Sequence, residues 1–242
     1  MSETKETYWS NDQLEGRISY NDNGQWHGPY ETWHGNGQQR AKINYINDKR
    51  HGSHETWYGN GQQWEKSNYV NGQRHGPYES WYEDGQQREK INFVNDQLHG
   101  PYERLHENGQ LWITCNYAND KLHGSHEEWY ENGQQRITCN FVNGQRHGSC
   151  ERWYEDGQQH ITCNYANGKK HGSYEIWHED GQQCEKHNYV NDQWHGPYET
   201  WYRNGQLSEK SNYYHGTKGQ PTSHAFQVGH LVSYVHDKKK MH

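Results

Sequence analysis

The chain has 242 residues and a formal charge of -7, and Leu, Ile, Val and Phe together make only 25 of them, too few for a conventional globular interior. Disorder is argued against by 20 Tyr and 12 Trp, which bury large apolar areas while their polar atoms stay solvated, and by 26 Gly that mostly recur at fixed intervals. The charge is spread along the chain with no basic block large enough to neutralise a run of phosphates, which argues against nucleic acid as a partner.

In chain order, the residues from Met1 to Glu6 are polar, with no apolar stretch fit for a signal peptide or a membrane span. A soluble, cytoplasmic protein is therefore expected. Tyr8-Trp9-Ser10-Asn11-Asp12-Gln13-Leu14 reads as a degenerate half-unit of the repeat that begins at His27, making residues 1–26 an N-terminal cap. His-Gly then occurs at His27-Gly28, His51-Gly52, His75-Gly76, His99-Gly100, His123-Gly124, His147-Gly148, His171-Gly172 and His195-Gly196, always 24 residues apart and without an insertion. Each unit continues through the equivalents of Glu31, Trp33, Asn36-Gly37-Gln38 and Asn44-Tyr45, and Trp gives way only once, at Leu105. Residues 27–213 thus hold eight units of this 24-residue period.

Two turns divide each unit, leaving no segment long enough for an ordinary helix. Asn36-Gly37 and its equivalents predict a two-residue type I′ hairpin loop. That register sets Glu31 opposite Lys42 and Trp33 opposite Arg40, and it pairs Glu55 with Lys66, Glu79 with Lys90, Glu175 with Lys186 and Glu199 with Lys210. A shift of one residue would instead oppose Glu55 to Glu65 and Glu199 to Glu209, so the charges select the first register. For the second turn a four-residue loop, Asn47 to Arg50, places Lys42 beside Glu55 and Tyr45 opposite Gly52, so that Tyr45 covers Gly28 on one side and Gly52 on the other. One face then carries Tyr30, Ile43 and Tyr45, and the other Glu31, Trp33, Arg40, Lys42 and Asn44. The expected fold is all-β: an elongated, twisted, single-layer antiparallel sheet of tandem hairpins, roughly 16 strands wide.

Three central units differ from the rest. Where the units flanking them carry Glu-Lys, as at Glu65-Lys66, these read Ile113-Thr114-Cys115, Ile137-Thr138-Cys139 and Ile161-Thr162-Cys163. The exchange makes an apolar stripe, and Ile113, Cys115, Ile137, Cys139, Ile161 and Cys163 are the candidate partner-binding residues; recent duplication of one unit explains the same pattern. Beyond Tyr213 the period fails. Residues 214–242 hold the apolar runs Ala225-Phe226-Gln227-Val228 and Leu231-Val232-Ser233-Tyr234-Val235 and end in the basic Lys238-Lys239-Lys240. They read either as a cap over the last strand edge or as a docking segment.

The succession Gly-x-Tyr-Glu-x-Trp-Tyr-x-Asn-Gly-Gln, then Asn-Tyr-x-Asn-Gly, resembles a MORN repeat in a longer variant seen in bacterial antitoxin-like proteins and in large DNA viruses of amoebae. Tyr78, Trp81, Gly85, Gln86 and Tyr69-Val70-Asn71-Gly72 carry the resemblance, which runs from about Tyr8 to Tyr213. It implies a hairpin ribbon used for protein binding, scaffolding or membrane association.

The residues offer little chemistry. The eight His-Gly histidines recur about 10 Å apart, every second strand, whereas zinc needs several ligands converging at ~2 Å, so no metal is expected. Cys115, Cys139 and Cys163 share one repeat position and fall beyond the ~7 Å reach of a disulfide; with Cys150 and Cys184 they read as free thiols. The glutamates recur in matching settings, unlike a catalytic acid and base whose environments must differ. No P-loop, nucleophile elbow or dinucleotide fingerprint is present. The sequence therefore points to a non-enzymatic scaffold without a cofactor that binds a protein through aromatic side chains, with a membrane-associated module and an antitoxin-like neutralising protein as the other readings.

Overall fold

A computed structural model describes residues 3–219. The two apolar runs of the tail and Lys238-Lys239-Lys240 lie outside the described residues. One antiparallel sheet of 20 strands runs from Glu3–Tyr8 to Thr217–Lys218, and no helix is present among the described residues. Strands pair in chain order, each hairpin hydrogen-bonded to the next. The short strands Gln73–Arg74 and Gly76–Trp81 are halves of one, interrupted at His75. Glu3–Tyr8 pairs with Leu14–Tyr20 and continues the ribbon at its N-terminal end.

Both turns depart from the predicted loops, and for related reasons. In the hairpin turn Gly37 N–H donates to His34 O (2.8 Å) and His34 N–H to Gln38 O (2.8 Å). Gly37 has φ 86°, whereas Asn36 is not left-handed and instead accepts the Gln38 N–H on its side chain at 3.1 Å. This is a three-residue loop ending in a left-handed glycine, not a type I′ turn. It sets Trp33 opposite Gln39 rather than Arg40. A bulge immediately beyond, between Thr32 and Trp33, restores the register, so Glu31 still faces Lys42. The two departures cancel at the glutamate, which is why the charge pairing is as expected.

The type I′ geometry occurs at the second turn. Asn47 and Asp48 have φ 49° and 65°, a two-residue loop that sets Ile46 against Lys49 and Tyr45 against Arg50, not Gly52. His51, Gly52 and Ser53 then bulge opposite Asn44 alone, and Asn44 Nδ2 donates to His51 O at 3.0 Å. The repeated His-Gly is the site of this bulge, where Gly52 takes φ 82°. Gly28 does pair with Tyr45 as expected, but Gly52 pairs with Tyr69 of its own hairpin. Successive units are also stitched at this edge, because Gly72 N–H donates to Arg50 O and Trp26 N–H to the Asp48 carboxylate, both at 2.8 Å.

The sheet buries one row of side chains on one face. Tyr30 faces Ile43, Ile43 faces His54 and His54 faces Ser67; after the interrupted strand the row resumes through Tyr78, Ile91, Tyr102 and Cys115. It continues through His126, Cys139, Cys150, Cys163, Tyr174, His187 and Tyr198 to Ser211. Among the described residues most of the buried side chains, Ile43, His54, Ser67, Ile91, Cys115, Cys139, Cys150, Cys163 and His187, belong to this row. Tyrosines of the row meet aromatic neighbours edge to face, as in Tyr78 with Phe93 (6.0 Å) and Tyr102 with Tyr117 (6.1 Å). We call this side the inner face.

The outer face carries the predicted charge ladder. Glu31, Lys42, Glu55, Lys66, Glu79, Lys90 and Glu103 stand opposite one another strand by strand. Ion pairs close at Lys186–Glu175 (3.3 Å) and Lys210–Glu199 (2.6 Å), while in the central units Thr114, Thr138 and Thr162 take the lysine positions.

Candidate interaction surface

The six candidate residues all lie on the inner face but split in depth. Cys115, Cys139 and Cys163 are buried in the central row, at 3%, 2% and 6% exposure, whereas Ile113, Ile137 and Ile161 are half-buried beside it. Ile113 pairs with Arg104 on one side and Glu128 on the other, and Ile161 with Arg152 and Ile176. The isoleucines present the stripe and the cysteines support it from below. Burial pushes the Cys115 thiol up to about 11 and raises those of Cys163 and Cys184, so these thiols stay protonated near neutral pH.

The cysteines correct the expectation of five free thiols. Cys139 and Cys150 are joined in a disulfide, with Cα atoms 4.2 Å apart. Comparing equivalent positions in successive units correctly keeps Cys139 from Cys163, but Cys150 occupies the other strand of the pair and faces Cys139 directly on one side and Cys163 on the other. Cys163 Sγ lies 3.4 Å from Cys150 O. Cys115, Cys163 and Cys184 are free.

A second row on this face escaped the sequence reading. The bulge after each hairpin turn brings Arg40 to the side of Tyr30 and Ala41, where it lines a groove of about 510 Å³ with Trp64 and Tyr58, not to the outer face that strict alternation gives. The equivalents run Arg40, Trp64, Arg88, Trp112, Arg136 and His160 along the ribbon. Trp64 is 46% exposed. The acidic residues beside this row are drawn toward the buried row: Glu65 accepts from Ser67 (3.1 Å), Glu128 lies 2.9 Å from His126, and Glu185 lies 3.0 Å from His187. Hydrogen bonding to His126 holds the Glu128 carboxyl below its ordinary value.

The turn edge beside this row is pinned by side chains that reach the next hairpin. Tyr58, Tyr82, Tyr130 and Tyr154 each donate a hydroxyl hydrogen bond at 2.9 Å to the backbone one unit ahead, and Asn60, Asn108 and Asn132 do the same with their amides. Among the described residues, no group of three or more His, Cys, Asp or Glu side chains could hold a metal ion. No helix of the described residues is long and apolar enough to cross a membrane.

An open ribbon of successive hairpins, with no second layer among the described residues, defines a tandem β-hairpin repeat protein. The MORN repeat variant matches residues 74–95, 98–119, 122–143 and 194–213, and the chain belongs to the MORN-repeat family, the units between repeating the same marks in the same period. MORN-repeat proteins are in general non-enzymatic scaffolds that bind proteins or membranes. No curated protein matches the chain.

Proposed function

We propose that this chain is a non-enzymatic scaffold that holds a protein partner on its inner face. The observation that carries the reading is the row there of Arg40, Trp64, Arg88, Trp112 and Arg136 beside Ile113, Ile137 and Ile161, on a sheet that no second layer covers among the described residues. Trp and Arg are enriched at binding hot spots, Trp because it buries much area with few rotors to immobilise and Arg because its planar fork is already organised for several hydrogen bonds. The glutamate ladder supports binding over catalysis, each carboxylate sitting in the same setting opposite Lys or Thr.

The test is to recover the native partner by affinity capture with charge placed on either face. Ile137→Lys with Ile161→Lys should reduce capture by about ten-fold, the loss of a hot-spot contact or two. Thr138→Lys with Thr162→Lys, on the outer face of the same strands, should leave it unchanged. The reverse pattern, with both variants giving the parent far-UV spectrum, would move the partner to the outer face and end the proposal.

A further inference from the structure

The inner face holds one groove whose chemistry is specific enough to name a class of ligand. It spans the hairpins of the third to fifth units, encloses about 890 Å³, and is lined by Arg88, Arg104 and Arg136 with Tyr82, His106 and Trp112. We infer that this groove binds an extended acidic peptide segment of a partner protein, its carboxylates on the three guanidinium groups and an apolar side chain on Trp112. The inference rests on the scaffold reading and adds the chemistry of the partner.

The three cations are set for an external anion. Glu89 stands opposite Arg104 across the strand pair, but among the described residues neither Arg88 nor Arg104 has a carboxylate within ion-pairing distance, and the Nε–H groups of both are buried without a hydrogen-bond partner. Arg136 alone has one, Glu128, at 3.6 Å, and that carboxylate is shared with His126 at 2.9 Å. Each guanidinium is braced by a ring: Arg104 lies 4.4 Å from Trp112, Arg136 5.7 Å from Tyr130 and Arg88 5.9 Å from Tyr82. The rings are fixed in turn. His106 stacks on Trp112 at 5.4 Å and its Nε2 lies 3.1 Å from Trp129 O, while the Tyr82 hydroxyl donates to Leu105 O at 2.9 Å. A groove pinned in this way loses little freedom on binding.

Its spacing selects a peptide over a polyanion. Arg88 and Arg136 are four strands apart, roughly 19 Å at the strand spacing of a sheet, with the ring of Trp112 and the side chain of Ile113 between them. A matching ligand therefore alternates charge with apolar groups. Glu107 and Glu131 stand exposed at the rim, and the whole chain carries a charge of -7, so an evenly charged strand of phosphates would meet repulsion that a peptide avoids by placing neutral residues there.

Fluorescence anisotropy on the full chain tests this. The probe is a fluorescein-labelled peptide, Glu-Glu-Phe-Glu-Glu-Leu-Glu, against the same peptide with every Glu replaced by Gln and against a labelled dT12 oligonucleotide. The acidic peptide should bind, weaken with added salt, and lose about ten-fold in affinity in Arg88→Gln and again in Arg104→Gln, the scale of one charge-assisted hydrogen bond. Trp112→Leu should weaken it while keeping the salt dependence, and Arg203→Gln, in a distant turn, should change nothing. Equal binding of the Gln peptide, tighter binding of dT12, or an affinity unmoved in both arginine variants overturns the inference. If the peptide fails while capture of the native partner still depends on Ile137 and Ile161, only the acidic chemistry is wrong; if capture ignores the inner face altogether, the scaffold reading itself falls.

Discussion

The central units and those flanking them share one backbone and differ in chemistry on both faces at once. In the flanks the buried row holds Ile43, Ile91, His54 and His187 over an outer ladder of alternating Glu and Lys. In the centre it holds Cys115, Cys139, Cys150 and Cys163 over Glu and Thr. The strand pairing is the same in both, with Glu55 against Lys66 in one and Glu127 against Thr138 in the other. Register is therefore set by the turns, by the bulge at His-Gly and by the backbone ladder, which leaves the side chains of each face free to change. The two regions should consequently fail under different stresses.

Acid should act on the flanks, with the largest effect. Burial, with Arg50 near His54 and Lys170 near His187, pushes both histidines down to about 4. A histidine depressed in the folded state and ordinary in the unfolded state leaves stability intact above about pH 6.5 and removes it as pH falls toward 4, below which the loss is complete. Burial also raises the Glu185 carboxyl, 3.0 Å from His187, so it is neutralised as the pH falls and offsets little of the cost. About 2 to 3 kcal/mol per histidine is expected. Hydrogen exchange at pH 7 and pH 4.5 should show protection falling first in the second and seventh units, and His187→Phe should flatten the response of the seventh. Equal loss in the central units would mean that the carboxylates, not these imidazoles, govern acid sensitivity.

Reduction should act on the centre. The Cys139–Cys150 disulfide closes a loop with a sequence separation of 11, worth about 3 kcal/mol by chain entropy. Reductant, or Cys150→Ser, should lower protection in the strands Gln135–Val142 and Gln145–Trp153 and leave the second and seventh units unchanged. A uniform fall in protection would show that the ribbon unfolds as one unit, against the nearest-neighbour behaviour expected of a repeat array.

The buried row should tolerate exchange between the regions better than truncation. Ile91→Ala removes a side chain only 9% exposed and should cost about 2 kcal/mol, at the low end for buried isoleucine because a single-layer sheet can close part of the gap. Ile91→Cys puts there the residue that the central units already use and should cost less than half as much. Denaturant melts of both variants would measure the difference.

The fold was legible because its signals are periodic, and the surface was less so because its errors are local. The interval between His-Gly pairs fixed the unit, and Glu55, Lys66, Glu199 and Lys210 fixed the register. Both loop lengths differ from expectation, three residues for two and two for four, because Asn and Gly serve either turn: Asn36 caps a three-residue loop through its side chain, while Asn47 adopts φ 49° itself. The bulge after the hairpin turn has no glycine of its own to mark it, unlike the one at His-Gly, so strict alternation puts Arg40 on the wrong face and passes over the row from Arg40 to Arg136. The disulfide was missed by comparing like positions of different units, when Cys150 approaches Cys139 across the strand pair. A tally of arginine and tryptophan at the third position after the hairpin glycine, rather than of histidine and cysteine, is the signal that would have found the groove.

The smallest effect sharpens the comparison most, because it converts centre into flank at one position. Thr138 stands between Glu127 and Glu151, neither of which faces a lysine. Thr138→Lys completes the ladder there and should stabilise the chain by about 0.5 kcal/mol at low salt, the scale of an exposed cross-strand pair. The gain should vanish near 1 M salt, where charges are screened over about 3 Å. Its mirror, Lys186→Thr between Glu175 and Glu199, should cost a similar amount. Gain without loss, or loss without gain, would show that the ladder is not carried by neighbouring charges alone and that the threonines contribute packing of their own.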